Sequence, residues 1–278
     1  MTRYVVAGVD GSAASVAALR WAAAEGEARG LALRVVTVIP RAHGPLGATS
    51  GSTTGRRVAA AVAEVRRGRP GLDVVAREIA GVPDRVLNDV GAGAELLVVA
   101  TRGSGGFPGL RLGSVALGVA SDAPCAVVLV PGESGGNGVP EVAVGVDGHH
   151  PDARALDLAF ETARRREARL RAVGAWRLPA PYDEQVVMPV EEDRADWEDG
   201  ELQLLEEALR GPREKYPSVA VLPDLRLFGP ADALVRASGG ADLLVVGRGE
   251  ARTSRGLGGV AHAVAHHTRC PLLLAPRH

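Results

Sequence analysis

Lysine is nearly missing from this chain of 278 residues, in which Lys215 is the single lysine among 32 basic residues. A P-loop requires a lysine directly after its glycine-rich turn, so the place of Lys215 in Arg-Glu-Lys-Tyr-Pro excludes that class of nucleotide site. Aromatic residues make up only 3%, too few for surfaces on which single-stranded nucleic acid stacks. No run of basic residues could follow a phosphate backbone. We therefore expect no nucleic-acid partner.

Cysteines and long apolar runs are also scarce. Cys125 and Cys270 each precede a short apolar run, which favours two buried thiols over a disulfide framework. No apolar run approaches the ~20 residues that a membrane helix needs. The first residues lack the apolar segment of a signal peptide. These features predict a cytoplasmic protein that makes no contact with a membrane.

The chain contains two copies of one pattern. The stretch VVAGVDGS at 5–12 returns as VAVGVDGH at 142–149, and the two cysteines stand at matching places near the end of each copy. A match at both ends of each half indicates a duplicated domain, and each half has the usual size of a protein domain. We predict two domains, residues 1–132 and 140–278, joined by a short glycine-rich linker.

Short apolar segments alternate with helical segments throughout both copies. In the first copy the predicted strands are Tyr4–Val9, Leu33–Ile39, Asp73–Ile79, Glu95–Ala100 and Cys125–Val130. Strands that alternate with helices at this spacing favour parallel βαβ units, and nearly continuous apolar strands fit a sheet covered on both faces. The predicted fold class is α/β, with two tandem doubly wound domains. The acidic residues 183–201 of the second copy are interpreted as a solvated loop that precedes a helix from Glu201.

A glycine-rich loop, Thr101–Gly113, carries the strongest functional signal. It ends in Gly113-Ser114 and runs directly into a predicted helix. Glycines allow the backbone to approach a phosphate, and the N-terminus of a helix offers N–H groups and a partial positive charge. A plain turn with Ser114 as the helix cap is an equally good interpretation of these residues alone.

At these positions the chain resembles the universal stress protein family in its tandem form. The family's nucleotide motif is Gly, two residues, Gly, nine residues, Gly, then Ser or Thr. Gly103, Gly113 and Ser114 match it in register, whereas Ala100 stands at the leading glycine. The resemblance covers essentially the whole chain. It implies five-stranded parallel sheets in the order 3-2-1-4-5, an adenine nucleotide as ligand, and pairing of domains through their last strands.

The resemblance also implies a set of nucleotide-binding residues. It places Asp10 and Val38 at the adenine and ribose, with Val99 and Ala100 lining the cleft. The phosphates would be held by backbone N–H groups, with help from the Ser114 hydroxyl, at the residues Gly103, Gly113, Ser114 and Val115. The expected ligand is ATP, with or without Mg²⁺, and ADP and AMP stay open. The two domains would form an internal pseudo-dimer, and further homodimerisation stays open.

The second copy departs from this pattern. Gly247 and Gly258 are 11 positions apart, against 13 between Ala100 and Gly113, and Gly259 replaces the serine. In addition, Ala175 stands in place of Val38, and His149 in place of Ser12. We expect weak or no ATP binding in this copy.

Nothing in the sequence marks a strong nucleophile or general base. His262 and His266 are four residues apart on one predicted helix face, but a zinc site would need further ligands, so surface histidines are favoured. We expect no metal site and a stress-linked regulatory or signalling role without strong catalysis. A slow ATPase or ATP-dependent enzyme, and a scaffold that binds no nucleotide, are the alternatives.

Overall fold

The computed structural model describes residues 3–39, 53–104, 111–132, 139–178, 191–249 and 256–277. The chain divides into two compact units, and the division does not fall between the two copies. The first unit contains Met1–Ser134, Arg248–His267 and Pro271–His278. The second contains Gly135–Gly247 and Thr268–Cys270. The last helix and strand of the second copy therefore belong to the same unit as the whole first copy.

Strands and helices alternate along the chain, as the apolar segments predict. The first copy contains β1 (Tyr4–Gly8), α1 (Ala13–Arg29), β2 (Ala32–Ile39), α2 (Thr53–Gly68), β3 (Val74–Ala80), α3 (Pro83–Gly91), β4 (Leu96–Ala100), α4 (Ser114–Asp122) and β5 (Ala126–Val130). The second contains β6 (Glu141–Val146), α5 (Ala153–Arg165), β7 (Arg169–Trp176), α6 (Glu191–Lys215), β8 (Val221–Leu227), α7 (Pro230–Ala237), β9 (Leu243–Val246), α8 (Gly259–His267) and β10 (Leu272–Leu274). The predicted α/β class is confirmed.

The sheet of the first unit has the order β3-β2-β1-β4-β5-β10. Its first five strands are parallel and follow the predicted order 3-2-1-4-5. The central strands are buried on both faces, and Val5, Val6 and Ala7 are fully inaccessible, which is the pattern of a parallel sheet covered by helices. The chain therefore places the ends of β1 and β4, where the strand order reverses, side by side.

The last strands of the two copies pair with each other in this unit. β10 runs antiparallel to β5, with Leu273 opposite Val128. This pairing covers an edge of β5 that would otherwise present unpaired backbone groups. The prediction that the last strands join the copies is confirmed.

The second unit has the strand order β9-β6-β7-β8, which repeats the first four positions of the first copy. All three pairings are parallel. At the start of β6 the buried carboxylate of Glu141 pairs with Arg169 at 2.5 Å and with Arg171 at 2.7 Å. A buried charge held in this way by two guanidinium groups fixes the paired ends of β6 and β7.

The acidic stretch of the second copy is not simply a loop. α6 begins at Glu191, ten residues before the predicted helix start, so the prediction is wrong from that residue onward, while 183–190 lie outside the described residues. Within the described part of the chain, no helix is both long enough and apolar enough to cross a membrane.

Candidate functional site

The turn after β1 is built around Asp10, Gly11 and Ser12. Gly11 has a φ of +79°, a left-handed conformation that favours glycine. A Cβ at Gly11 would also lie 3.0 Å from Thr54 Cγ2, at the start of α2. Ser12 caps α1, because its hydroxyl accepts the backbone N–H of Ser15 at 3.1 Å. Ser12 is thus the N-cap of α1.

The Asp10 carboxylate joins this turn to the loop after β4. One oxygen accepts the N–H of Ser12 at 3.0 Å, and the other accepts the N–H of Ser104 at 2.7 Å. A side chain at Gly103 would overlap the second oxygen, so this glycine lets the loop pass close to the carboxylate. Burial alone would raise the pKa of Asp10, but the hydrogen bonds from Ser12 and Ser104 outweigh it and lower the pKa. Asp10 is therefore a charged group that ties two loops together.

The first and last residues of the loop after β4, Thr101 and Gly113, lie next to each other. The N–H of Thr101 donates to Val130 O at 2.9 Å, and the N–H of Gly113 donates to Thr101 O at 2.8 Å. The second bond brings the start of α4 back to the end of β4. Residues 105–110 of the predicted phosphate loop lie outside the described residues.

The start of α4 carries an exposed serine between two half-buried residues. Gly113 is the N-cap, and among the described residues no side chain caps the helix. Ser114 is exposed and is the first helical residue, so the alternative interpretation, in which Ser114 is the helix cap, is wrong. The first turn of a helix has N–H groups without partners inside the helix, and these groups suit an anion.

The remaining predicted residues lie at the ends of neighbouring strands. Val99 and Ala100 are buried at the end of β4, and Val38 is half-buried near the end of β2. Val115 is half-buried in the first turn of α4. Since β2, β1 and β4 are adjacent and parallel, their carboxyl ends meet at one edge of the sheet, where ligands bind in this architecture. The structure thus places all eight predicted residues at one edge, with direct contact between Asp10 and the Gly103–Ser104 segment.

The substitution of Ala100 for the leading glycine causes no backbone strain. Glu167 is the single non-glycine residue with a positive φ in the described part of the chain, so Ala100 has an ordinary strand conformation. Its methyl group is buried, with 8% of the residue exposed. The position therefore does not demand glycine for its backbone conformation.

The equivalent loop of the second copy is closed by the same backbone bond, but with a different residue at its start. The N–H of Gly258 donates to Arg248 O at 2.8 Å, the counterpart of the bond between Gly113 and Thr101. This match aligns Arg248 with Thr101 and Gly258 with Gly113. Arg248 is 3% exposed, so a buried guanidinium stands where the first copy has a threonine.

The turn after β6 also differs from its counterpart. Strand registers pair Gly8 with Val36 and Gly145 with Val173, which confirms Ala175 as the equivalent of Val38. Asp152, however, and not His149, takes the capping role of Ser12, because its carboxylate accepts two N–H groups at the start of α5. The turn between Asp147 and this cap is three residues longer than in the first copy. The extra residues explain why sequence matching alone assigned the wrong partner.

Gly247 lies against the Asp152 carboxylate so closely that any side chain at this position would overlap it. The first copy has the same kind of contact, between Gly103 and the Asp10 carboxylate, so this arrangement is common to the two copies.

A cavity of about 620 Å³ lies between α1 and α2 and includes Gly11 of the turn after β1. In the described residues no group of three or more His, Cys, Asp or Glu side chains could hold a metal ion. His262 and His266 contact each other, with ring centroids 4.8 Å apart.

Sequence reasoning missed three residues that shape these loops. Ser104 donates to Asp10, Thr101 joins the ends of the first loop, and Arg248 replaces Thr101 in the second. Thr101 and Arg248 are buried polar residues that follow an apolar strand by one and two positions, and this pattern in the sequence is a signal that could have found them.

The similarity of this chain to known proteins indicates a single protein family. A sequence model of the universal stress protein family matches residues 1–131 and again 140–276. A universal stress protein of Mycobacterium tuberculosis is 33% identical over 299 residues, covering 98% of this chain and 95% of that protein. A second from the same organism is 32% identical over 290 residues, covering 98% and 96%. The crystal structure of a universal stress protein from Archaeoglobus fulgidus is similar in fold, with a TM-score of 0.65 at 17% identity, covering 99% of this chain and 98% of that one.

Proposed function

Because the chain belongs to the universal stress protein family in its tandem two-domain form, we propose that its first copy binds an adenine nucleotide. The observation that carries the proposal is the uncapped start of α4, placed beside the end of β4 by the bond between Gly113 and Thr101. An anion can accept the N–H groups there, and the phosphates of a nucleotide are such an anion. The resemblance of the loop to the family's nucleotide motif supports an adenine nucleotide as the ligand class.

The residues present fit such a ligand. A Cβ at Gly113 would lie 3.5 Å from Thr101 O, so the glycine leaves the entrance of α4 unobstructed without being a packing requirement. Val38, Val99 and Ala100 would provide apolar contacts to the adenine. Gly103, Gly113, Ser114 and Val115 would hold the phosphates, and ATP with or without Mg²⁺ is the first candidate, ahead of ADP and AMP.

The charge of Asp10 bears on how the ligand is oriented. Both its oxygens already accept backbone N–H groups, and its pKa is lowered, so it is an anion near neutral pH. A carboxylate repels phosphates and accepts hydroxyl groups. Asp10 therefore suits the ribose end of the nucleotide, with the phosphates directed towards α4.

The second copy is proposed not to bind nucleotide with useful affinity. A buried guanidinium, that of Arg248, replaces Thr101, and Gly259 offers no hydroxyl. The proposed role is regulation or signalling under stress in the cytoplasm. In this role the protein acts through nucleotide binding and not through rapid nucleotide hydrolysis.

Titration calorimetry with ATP, ADP and AMP tests this function. We expect about one nucleotide per chain, the single site arising from the open helix start of the first copy. A stoichiometry near two would show that the second copy also binds, and no heat with any of the three, together with no nucleotide in the mass spectrum of the purified protein, would favour a scaffold. Timed hydrolysis that is lost in Asp10→Ala would favour an enzyme instead.

Replacement of Gly113 tests the position of the phosphates. Gly113→Val should abolish binding while leaving the circular dichroism spectrum and the unfolding midpoint nearly unchanged, because the side chain would obstruct the helix entrance. The matched control is Gly258→Val at the equivalent position of the second copy, which should leave affinity unchanged. Equal affinity of Gly113→Val and the wild type would show that the phosphate site lies elsewhere.

A further inference from the structure

Arg248 makes contacts that do not belong to its own loop. Its guanidinium donates from Nη1 to Ala123 O at 2.5 Å and from Nη2 to Cys125 O at 2.6 Å. The residue is buried, and burial lowers its pKa to about 10, which leaves it a cation at neutral pH. A buried cation is costly unless it is well paired, so these two bonds set the position of the side chain.

The two carbonyl groups lie on either side of the turn that ends α4. Ala123 is the residue at which the helix ends, and Cys125 directly precedes β5. A guanidinium that binds both groups satisfies a carbonyl at the negative end of the helix dipole and links it to the next strand. Arg248 therefore holds the C-terminal end of α4.

The opposite end of the same helix is the proposed phosphate site. α4 has nine residues, so its two ends are separated by about 13 Å at the usual rise of an α-helix. Ala116, Val119 and Ala120 pack its inner face, and all three are small or of moderate size. A short helix with little side-chain volume in the core depends on its ends to fix its position along the axis.

We propose that Arg248 of the second copy is a positioning residue for nucleotide binding by the first copy. It fixes the C-terminal end of α4. The N–H groups of the first turn are thereby held at the right distance from Thr101 and Gly103 before the ligand binds. The loop of the second copy, which lost its own features for binding phosphate, thereby supports the site of the first. This inference rests on the proposed function of α4 and adds a residue that the family's nucleotide motif does not contain.

The replacement Arg248→Thr tests the proposal, because threonine is the residue at the equivalent position of the first copy. It removes both donors to Ala123 O and Cys125 O. We expect affinity for ATP to fall at least about fivefold, with stoichiometry unchanged. In the ligand-free protein, hydrogen exchange of the α4 amides should become faster than in the wild type.

Arg248→Lys is the second variant, because an ammonium group keeps the charge but cannot bind both carbonyls in the fork geometry of a guanidinium. It should give an intermediate affinity even if the threonine variant folds poorly. Leu209→Ala is the matched control for lost stability, since Leu209 is fully buried in α6 of the other unit. It should lower the unfolding midpoint and leave ATP affinity unchanged at temperatures well below unfolding.

Two results would overturn the proposal. One is an affinity of both Arg248 variants within about twofold of the wild type, and the other is an equal loss of affinity in Leu209→Ala. If the wild type binds no nucleotide, the proposed function fails and the role of Arg248 in binding fails with it. Hydrogen exchange would then still decide whether Arg248 holds α4 in place, so the two failures can be told apart.

Discussion

The carboxylate of Asp10 accepts the backbone N–H of Ser104 at 2.7 Å, so the turn after β1 holds the loop after β4. The contact crosses from one parallel strand to its neighbour at the point where the strand order reverses. It gives Asp10 a role in ordering the loop besides any contact with the ligand. The contact also explains why residue 103 is a glycine without reference to phosphate, because a side chain there would overlap the Asp10 carboxylate.

Gly103 and Asp10 should therefore be coupled. Gly103→Ala in the wild type must displace the Asp10 carboxylate, and we expect about tenfold weaker nucleotide binding, equal to 1.4 kcal/mol. In an Asp10→Ala background the same change should cost much less, because the overlapping oxygen is gone. The measurement is a double-mutant cycle on the dissociation constant. Strictly additive effects of the two substitutions would show that the steric contact does not govern the loop.

The stability that Asp10 contributes should depend on pH. Its pKa in the folded protein lies below the ordinary value of 3.8, because hydrogen bonds from Ser12 and Ser104 outweigh the effect of burial. The stabilisation is thus complete above the unfolded pKa and is lost as pH falls through the folded pKa. In urea unfolding, the free-energy difference between wild type and Asp10→Asn should be constant near neutral pH and shrink below about pH 4. A difference that grows towards acid would contradict the sign of the shift.

Two serines that look alike in sequence should behave differently when they are replaced. Ser114→Ala should change the free energy of unfolding by less than about 0.5 kcal/mol, because its exposed hydroxyl caps nothing. Ser12→Ala should cost about 1 kcal/mol, since it removes the cap of α1. Chemical denaturation compares the two variants directly, and calorimetry should find weaker nucleotide binding in Ser114→Ala. A large loss of stability in Ser114→Ala would mean that this hydroxyl caps α4 after all.

Neither cysteine should react readily in the folded protein. Burial raises the pKa of Cys125 to about 11 and of Cys270 to about 12, so almost no thiolate exists at pH 8. Labelling with an aromatic disulfide reagent should be slow in buffer and rapid for both thiols in urea. Rapid labelling of one thiol without denaturant would reveal local opening around it.

The sequence predicts most of the fold because its signals are local and repeated. Each apolar run in the first copy corresponds to a strand within one or two residues, and VVAGVDGS places the first turn and its cap. The sequence predicts α6 too short, because the dense negative charge of residues 183–201 is typical of a solvated loop, whereas the chain is helical from Glu191. A helix on the protein surface tolerates such charge, and its sequence contains little apolar periodicity before Leu202.

The site was predicted less completely, for a physical reason. The glycines of the loop and the start of α4 can be identified from a single sequence, because they depend on residue types that are close together along the chain. The bond from Ser104 to Asp10 spans 94 positions and that from Arg248 to Ala123 spans 125. Such contacts are fixed by strand order and by the pairing of β5 with β10, not by local pattern. The three-residue difference in the turns after β1 and β6 likewise became visible only through the caps Ser12 and Asp152.

The equivalence of Thr101 and Arg248 has a consequence for the duplicated gene. In a homodimer made from one short chain, any substitution appears in both subunits, so threonine at one position would require threonine at the other. Joining the copies in one polypeptide removes that symmetry. One position can keep a small hydroxyl beside a loop that is free to take a ligand, while the other gains a guanidinium that reaches into its neighbour. The fused chain can divide labour between halves that descend from the same sequence, and no symmetric assembly of identical subunits has that freedom.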